Sequence, residues 1–280
     1  MALNLSSVGW KSQASSFVYD WKQLVLYALG IGAKAHELDY LYEGRGPKAF
    51  PTFAVVPATE HVFACLRQAE VPLASVVHGG QGVTVHGPLP AQGEVVTQGE
   101  LAAIYDMKKF AQVVVRTSTA LPDGSPLFDT VWSIIVRDAG GFGGAPPPKG
   151  EEASTPKDRA PDFRIPQKTS TEQALIYRLS GDTNPLHADP EVAHTAGFDR
   201  GPILHGLATF GFAARAVVAG ACGGDAAKLT SIHGQFRKPV WPGETLVTEG
   251  WRQDTKLILR VSVEERSDRV LSNAWAIVRA

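Results

Sequence analysis

Between positions 202 and 219 the chain reads Pro-Ile-Leu-His-Gly-Leu-Ala-Thr-Phe-Gly-Phe-Ala-Ala-Arg-Ala-Val-Val-Ala, with apolar residues on every side of a helical wheel. A helix of that kind has to be surrounded. Downstream the period changes. Leu257, Leu259, Val261 and Val263 alternate with Ile258, Arg260, Ser262 and Glu264, the pattern of a half-buried strand. Positions 245–251 and 270–279 read as its neighbours, and the short turns at 252–255 and 266–269 make the sheet antiparallel. A helix apolar all round, next to a one-faced sheet, is best buried if the sheet curls around it. The first half repeats this plan, with a helix over 51–69 and strands over 94–137.

Local signals place a loop ahead of the buried helix. Thr169-x-x-Glu172 and Ser170-x-x-Gln173 each fit a capping box for a helix over 174–179, and Gly181 suits the left-handed residue that ends it. Asp189-Pro190-Glu191 opens a second short helix, Asp as cap and Pro in the first turn, and Gly197 stops it. Residues 182–188 lie between the two.

The chain also resembles itself. Tyr27-Ala-Leu-Gly-Ile-Gly32 precedes Tyr177-Arg-Leu-Ser-Gly-Asp182 by 150 positions, and Gly93-Glu94 precedes Gly243-Glu244 by the same interval. Trp132-Ser-Ile-Ile-Val-Arg137 echoes Trp275-Ala-Ile-Val-Arg279. Matches in the same order at near-constant spacing point to an internal duplication. Between the halves, positions 138–161 are rich in Gly, Pro and charge, the composition of a connector. The expected division is 1–138, a linker at 139–162, and 163–280.

Composition narrows the function classes. The chain is 44% hydrophobic and 20% charged, enough for a substantial core. Its net charge of −1, without long runs of either sign, argues against nucleic-acid or polybasic membrane binding. Cys65 and Cys222 are the only cysteines, which excludes a disulfide framework and a multi-cysteine zinc ribbon and fits a reducing compartment. The first ten residues lack the pattern of a secretory signal, and the last five lack a Ser-Lys-Leu address. Residues 202–222 are long enough to span a bilayer, but His205 and Arg215 favour a buried helix of a soluble protein.

The densest polar cluster is Ser180-Gly-Asp-Thr-Asn-Pro-Leu-His-Ala-Asp189. Read plainly it is a turn, since Asp and Asn bond their own backbone and Pro fixes the bend. Asp182 and His187, however, stand five apart around that bend, and a carboxylate beside an imidazole can hold and deprotonate a water. In the repeat, Gly32 and Glu37 occupy the Asp182 and His187 positions, so the fold does not demand the pair. Gly201-Pro-Ile-Leu-His-Gly206 opens the buried helix, where unpaired N–H groups and a partial positive charge face outward. The Gly206 N–H there is either a donor to an oxygen that becomes negative or merely part of a close-packing glycine. His205 reads more as a satisfied core histidine than as a catalytic one. No metal-type His or Cys spacing appears among Asp182, His187, Asp189, His194 and His205. Gly79-Gly80-Gln81-Gly82 lacks the Lys-Ser/Thr of a phosphate loop, and no Gly-x-Ser-x-Gly elbow is present.

Tyr177-Arg-Leu-Ser-Gly-Asp-Thr-Asn-Pro-Leu-His187, followed by Ala193, resembles the hydratase 2 signature of MaoC-like enoyl-CoA hydratases. Pro202-Ile-Leu-His-Gly-Leu207 and Phe236-Arg-Lys-Pro-Val-Trp-Pro-Gly-Glu-Thr-Leu246 are similar to the next two segments of that family. His78-Gly79 and Gln81 resemble, more loosely, its first-half substrate-side loop. The resemblance covers nearly the whole chain and is nearest to the two-domain hydratases. It implies an α+β double hot-dog fold, two antiparallel sheets each wrapped around a helix, with a degenerate first half for the acyl chain. It implies reversible hydration of trans-2-enoyl-CoA to (3R)-3-hydroxyacyl-CoA in fatty acid β-oxidation, with no metal and no redox cofactor. Asp182, His187 and Gly206 would be catalytic with Asn184 in support; His78, Gly79, Gln81, Arg237 and Lys238 would meet the substrate. A homodimer acting on an acyl-CoA thioester is expected, cytoplasmic, or peroxisomal if the chain belongs to a larger one. The alternatives are a hot-dog thioesterase, a carrier-protein dehydratase, or a non-catalytic acyl-CoA-binding protein.

Overall fold

A computed structural model describes residues 3–150 and 153–279. Residues 1, 2 and 280, which enter the targeting readings, and Glu151 and Glu152 of the expected linker lie outside the described residues. The first half runs β1 (Ser15–Tyr19), α1 (Trp21–Gly30), α2 (Leu38–Leu41), α3 (Val55–Gln68), β2 (Val76–Val85), β3 (Gly93–Met107), β4 (Phe110–Ala120) and β5 (Pro126–Arg137). The second runs β6 (Phe163–Lys168), α4 (Gln173–Tyr177), α5 (Pro190–Thr195), α6 (Gly206–Ala221), β7 (Leu229–Phe236), β8 (Thr245–Gln253), β9 (Lys256–Val263) and β10 (Arg269–Val278).

All ten strands form one antiparallel sheet in the order β1-β3-β4-β5-β2-β7-β10-β9-β8-β6. Each half contributes five, and the two fives mirror one another about the β2–β7 seam. There Gln81 pairs with Gly234 and Val83 with Ile232. Helix α6 is buried at every residue from Leu207 to Val218, as its all-round apolar pattern requires. Phe210 and Phe212 are fully enclosed, each stabilising the fold by about 1.5–3 kcal/mol. Apolar residues of both halves belong to a single core. No helix among the described residues is long and apolar enough to cross a membrane.

The helix α5 has the expected anatomy: Asp189 accepts from Glu191 N–H at 2.8 Å, Pro190 opens it, and Gly197 follows with φ of +88°. Elsewhere the structure departs from the pattern. Helix α4 begins at Gln173, and neither Thr169 nor Ser170 caps it. The Thr169 hydroxyl instead donates to the Glu244 carbonyl at 2.8 Å and accepts from Gly243 N–H at 2.9 Å, so tertiary partners outbid the local cap. Helix α6 starts at Gly206, four residues after Pro202. In β9, Ile258 is buried along with its inward-facing neighbours. The connector is also tied down near both ends. Asp106 accepts the N–H groups of Gly141 and Gly143 at 2.8 Å each, and the Arg159 carbonyl accepts the Trp251 indole at 2.8 Å.

Candidate active site

After α4, a tight turn over Arg178–Ser180 ends at Gly181, whose φ of +123° only glycine adopts without strain. The chain then enters a loop built on short-range bonds. Asp182 Oδ1 accepts the Asn184 N–H at 3.2 Å, and Asn184 Oδ1 accepts the Leu186 N–H at 3.0 Å, capping the turn Pro185–His187. His187 leaves that turn buried. Its Nδ1 lies 2.8 Å from the Ile203 carbonyl. A carbonyl only accepts, so Nδ1 carries the proton and Nε2 keeps its lone pair.

His205 stands at the cap position of α6. Its Nε2 donates to the Asp182 carbonyl at 3.1 Å, leaving a buried Nδ1 with no partner. The ring stacks on His187 with centroids 3.7 Å apart and lies 4.9 Å from that of Tyr177. Side-chain donor atoms of Asp182, His187 and His205 fall within 4.8 Å of one another, the one such group among the described residues. Imidazole lone pairs lie in the ring plane, and these two planes are inclined by only 27°. They run side by side instead of converging, a poor chelate but a suitable wall for a small polar molecule held by Asp182 and His187.

Burial fixes the charge state of these rings. It draws His187 below the usual histidine value, against the pull of the Ile203 carbonyl and the Asp182 charge. It lowers His205 to about 2 and His78 to about 4. All three imidazoles are therefore neutral near pH 7, and His187 offers a free base. Burial likewise raises the Tyr177 hydroxyl well above its ordinary value.

Gly206 is the first residue of α6, so its N–H is one of the four left without an intrahelical acceptor. A Cβ at this position would lie 3.3 Å from the Phe236 ring. That ring meets His78 edge-on at 4.9 Å, and His78 stacks on Trp132 at 5.2 Å. His78 is near enough to Asp182 to feel its charge. Thus β2 of the first half lines a site whose acid–base groups come from the second. His78, Gly79 and Gln81 sit on a central strand, which corrects the expectation of a loop: Gln81 is paired on both sides, His78 with β5 alone, and Gly79 falls at a register shift. Gln81 is fully buried; its amide donates to the Gly82 carbonyl at 3.1 Å and its Oε1 has no partner. Gly79 backs against Ile135, where a Cβ would lie 2.7 Å away.

Arg237 and Lys238 are exposed just beyond β7. The Arg237 guanidinium is engaged by Gln235 at 2.7 Å and by Ser272, not by the loop. The expectation that His205 is a satisfied core histidine is corrected by its partnerless Nδ1, and the sequence reading passed over Tyr177, Trp132 and Phe236, whose rings pack around His205 and His78. His205 had a visible signal, its place beside Gly206 at the opening of the helix.

Two family models match the chain in tandem: the MFE-2 hydratase 2 N-terminal domain over residues 17–138, and the MaoC like domain over 152–274. The chain is 43% identical over 265 residues to the 3-hydroxyacyl-thioester dehydratase Y of Mycobacterium tuberculosis, covering 91% of this chain and 89% of that protein. It is 37% identical over 265 residues to a probable enoyl-CoA hydratase 2 of Dictyostelium discoideum, covering 92% and 90%. The full-length peroxisomal multifunctional enzyme type 2 of Drosophila melanogaster superposes with a TM-score of 0.82 at 33% identity, covering 95% of this chain and 48% of that one. Similarity of this extent across both halves makes the chain a member of the MaoC-like hydratase 2 family, with its double hot-dog fold.

Proposed function

We propose that this protein is a hydro-lyase that reversibly adds water to a trans-2-enoyl-CoA, giving a (3R)-3-hydroxyacyl-CoA, as in fatty acid β-oxidation. The observation that carries the reading is a neutral His187 whose Nε2 is left free, with a ring nitrogen within 4.8 Å of an Asp182 carboxylate oxygen, next to the open end of α6. Relatives named for hydration and dehydration of such thioesters support it.

In the forward direction a water held by Asp182 and His187 gives up a proton as its oxygen bonds to C3. Electrons shift from the C2–C3 double bond towards the thioester oxygen, and the dyad returns a proton to C2. The Gly206 N–H meets the oxygen as it becomes negative. A preorganised donor of this type is worth about 3–4 kcal/mol, and a positioned acid–base group about 10²–10⁴-fold in rate. Asn184 acts through the loop, because its carbonyl oxygen is already committed to Leu186. His78, Gly79 and Gln81 form the wall that the acyl group meets, in a half (1–138) devoted to the acyl chain, while 163–280 carries the chemistry across the 139–162 connector. Arg237 and Lys238 serve the CoA phosphates only by swinging from their exposed positions. The step balances with water and the thioester alone, so it calls on no metal and no redox cofactor.

A homodimer completes the proposal, working in the cytoplasm or, as in the Drosophila relative's name, the peroxisome. Incubation with crotonyl-CoA and longer enoyl-CoAs, followed by chiral analysis, tests the reading. It expects an R product without release of free CoA. An S product, rapid thioester cleavage, or turnover only on carrier-protein thioesters would contradict it.

A further inference from the structure

The loop after α1 has Gly32 and Glu37 where the other half has Asp182 and His187, yet it touches α6 at three successive points. Ile31 sits where Gly211 has no side chain; a Cβ there would be 2.2 Å from Ile31 Cγ2. Phe212 returns the fit, since a Cβ at Gly32 would be 2.4 Å from its ring. One turn further along, Arg215 donates through Nε to both Glu37 oxygens at 2.9 and 3.0 Å, and through Nη2 to Oε2. The pair is largely buried, with 9% and 17% of the side chains exposed. Lys34 N–H donates to the same Glu37 carboxylate at 2.7 Å. Gln167, its amide turned so that both ends are satisfied, accepts from Arg215 Nη1 at 2.7 Å and donates to the Phe212 carbonyl at 2.9 Å.

Two knobs fix where a helix sits along its axis and about it, because a glycine notch admits a side chain at one register only. An ion pair buried in an apolar helix is a poor source of stability, since desolvation offsets most of the attraction; its best-attested use is to specify register. Gly206 lies nine residues before Arg215, about 13.5 Å along the same rigid rod. A slide of α6 therefore carries the Gly206 N–H with it, and a misplacement of about 1 Å at a reacting centre can cost about 10²-fold.

We propose that the loop after α1 gauges the catalytic helix: Ile31, Gly32 and Glu37, with Gly211, Phe212 and Arg215, are positioning residues that hold α6 where its first N–H faces the thioester oxygen. The inference rests on the hydratase reading for its kinetic consequence, but its structural content is independent of it. The test combines crotonyl-CoA kinetics with the 15N–1H resonance of Gly206 in the full chain. In Glu37→Leu/Arg215→Met, where an apolar pair replaces the ions, the fold should persist, the Gly206 resonance should move, and kcat should fall about tenfold with KM within about twofold. Gly211→Ala should lower kcat further and move the Gly206 resonance, and adding Ile31→Ala should return most of both; a merely structural role would leave the Gly206 resonance and the kcat-against-KM split of the folded protein unmoved. Should Gly211→Ala fail to fold, the two double variants still decide. A folded Glu37→Leu/Arg215→Met protein with the parental kcat and an unmoved Gly206 resonance overturns the proposal. A parent that hydrates nothing defeats the hydratase reading instead, and the resonance still judges the register.

Discussion

The loops after α1 and α4 hold matching places in the two halves, and their contents differ in kind. In the first, Phe212 is pressed against Gly32, and Glu37 is locked by Arg215 and Lys34. In the second, Asp182 stands at the Gly32 position with its carboxylate partly exposed, and His187 keeps an Nε2 without a donor at the Glu37 position. The helix starts diverge in parallel. The helix α3 opens on the buried side chain of Val55 behind a tight turn over Pro51–Ala54; α6 opens on Gly206. The frame is common to both halves, so the chemistry depends on which polar groups are left unspent.

The largest expected effect lies on the silent side. Glu37→Ala leaves Arg215 buried without its counter-ion and should cost about 3–5 kcal/mol in denaturant unfolding. On the active side, Gly206→Pro removes the N–H while keeping the helix, because Pro is tolerated at the first helical position. His205 already has the extended backbone, φ −56° and ψ 138°, that precedes proline. Hydration should drop about 10²–10³-fold, while circular dichroism stays that of the parent. Gly32→Ala places a Cβ 2.4 Å from Phe212 on a backbone with φ of +81°; the strain should cost about 2–4 kcal/mol in thermal unfolding.

Acid titration sharpens the contrast further. His187 must be neutral to act as a base, and burial holds its pKa below 6.5. The forward rate should be level above pH 6.5 and decline only below it, with a midpoint at a lower pH. A midpoint at or above 6.5 would contradict the buried, neutral ring. Stability follows the same sign: the unfolded imidazole takes up a proton near 6.5 before the folded one does, so stability is lost as pH falls through that window. Asn184→Ala is the mildest change. It removes one cap and should cost about 1 kcal/mol, with a few-fold loss of rate.

How much of this was legible depended on whether a local pattern agreed with its surroundings. The apolar helix and the Asp189 cap announced themselves because local pattern and burial coincide there; strands β8–β10 did so through apolar runs between short turns, although β8 is buried from Thr245 to Trp251 and β9 also at Ile258. Strand β7, Leu-Thr-Ser-Ile-His-Gly-Gln-Phe, hides its period behind a glycine, a histidine and irregular pairing with β10. The glycines of β2 carry no side chains to alternate, so a central strand reads as a loop. The Asp182/His187 candidate followed from spacing around a proline. The resemblance pointed to His78, but its packing on Trp132 and Phe236, the tautomer of His187 and the stacking of His205 were not legible, since each is set by a partner elsewhere along the chain.

The account turns on Asp182 and His187 doing together what Gly32 and Glu37 do not. The most direct measurement is the steady-state hydration of crotonyl-CoA by Asp182→Asn and His187→Ala, each checked for native unfolding behaviour. The account predicts a loss of about 10²–10⁴-fold in kcat for either one; folded variants that turn over at the parental rate would contradict it.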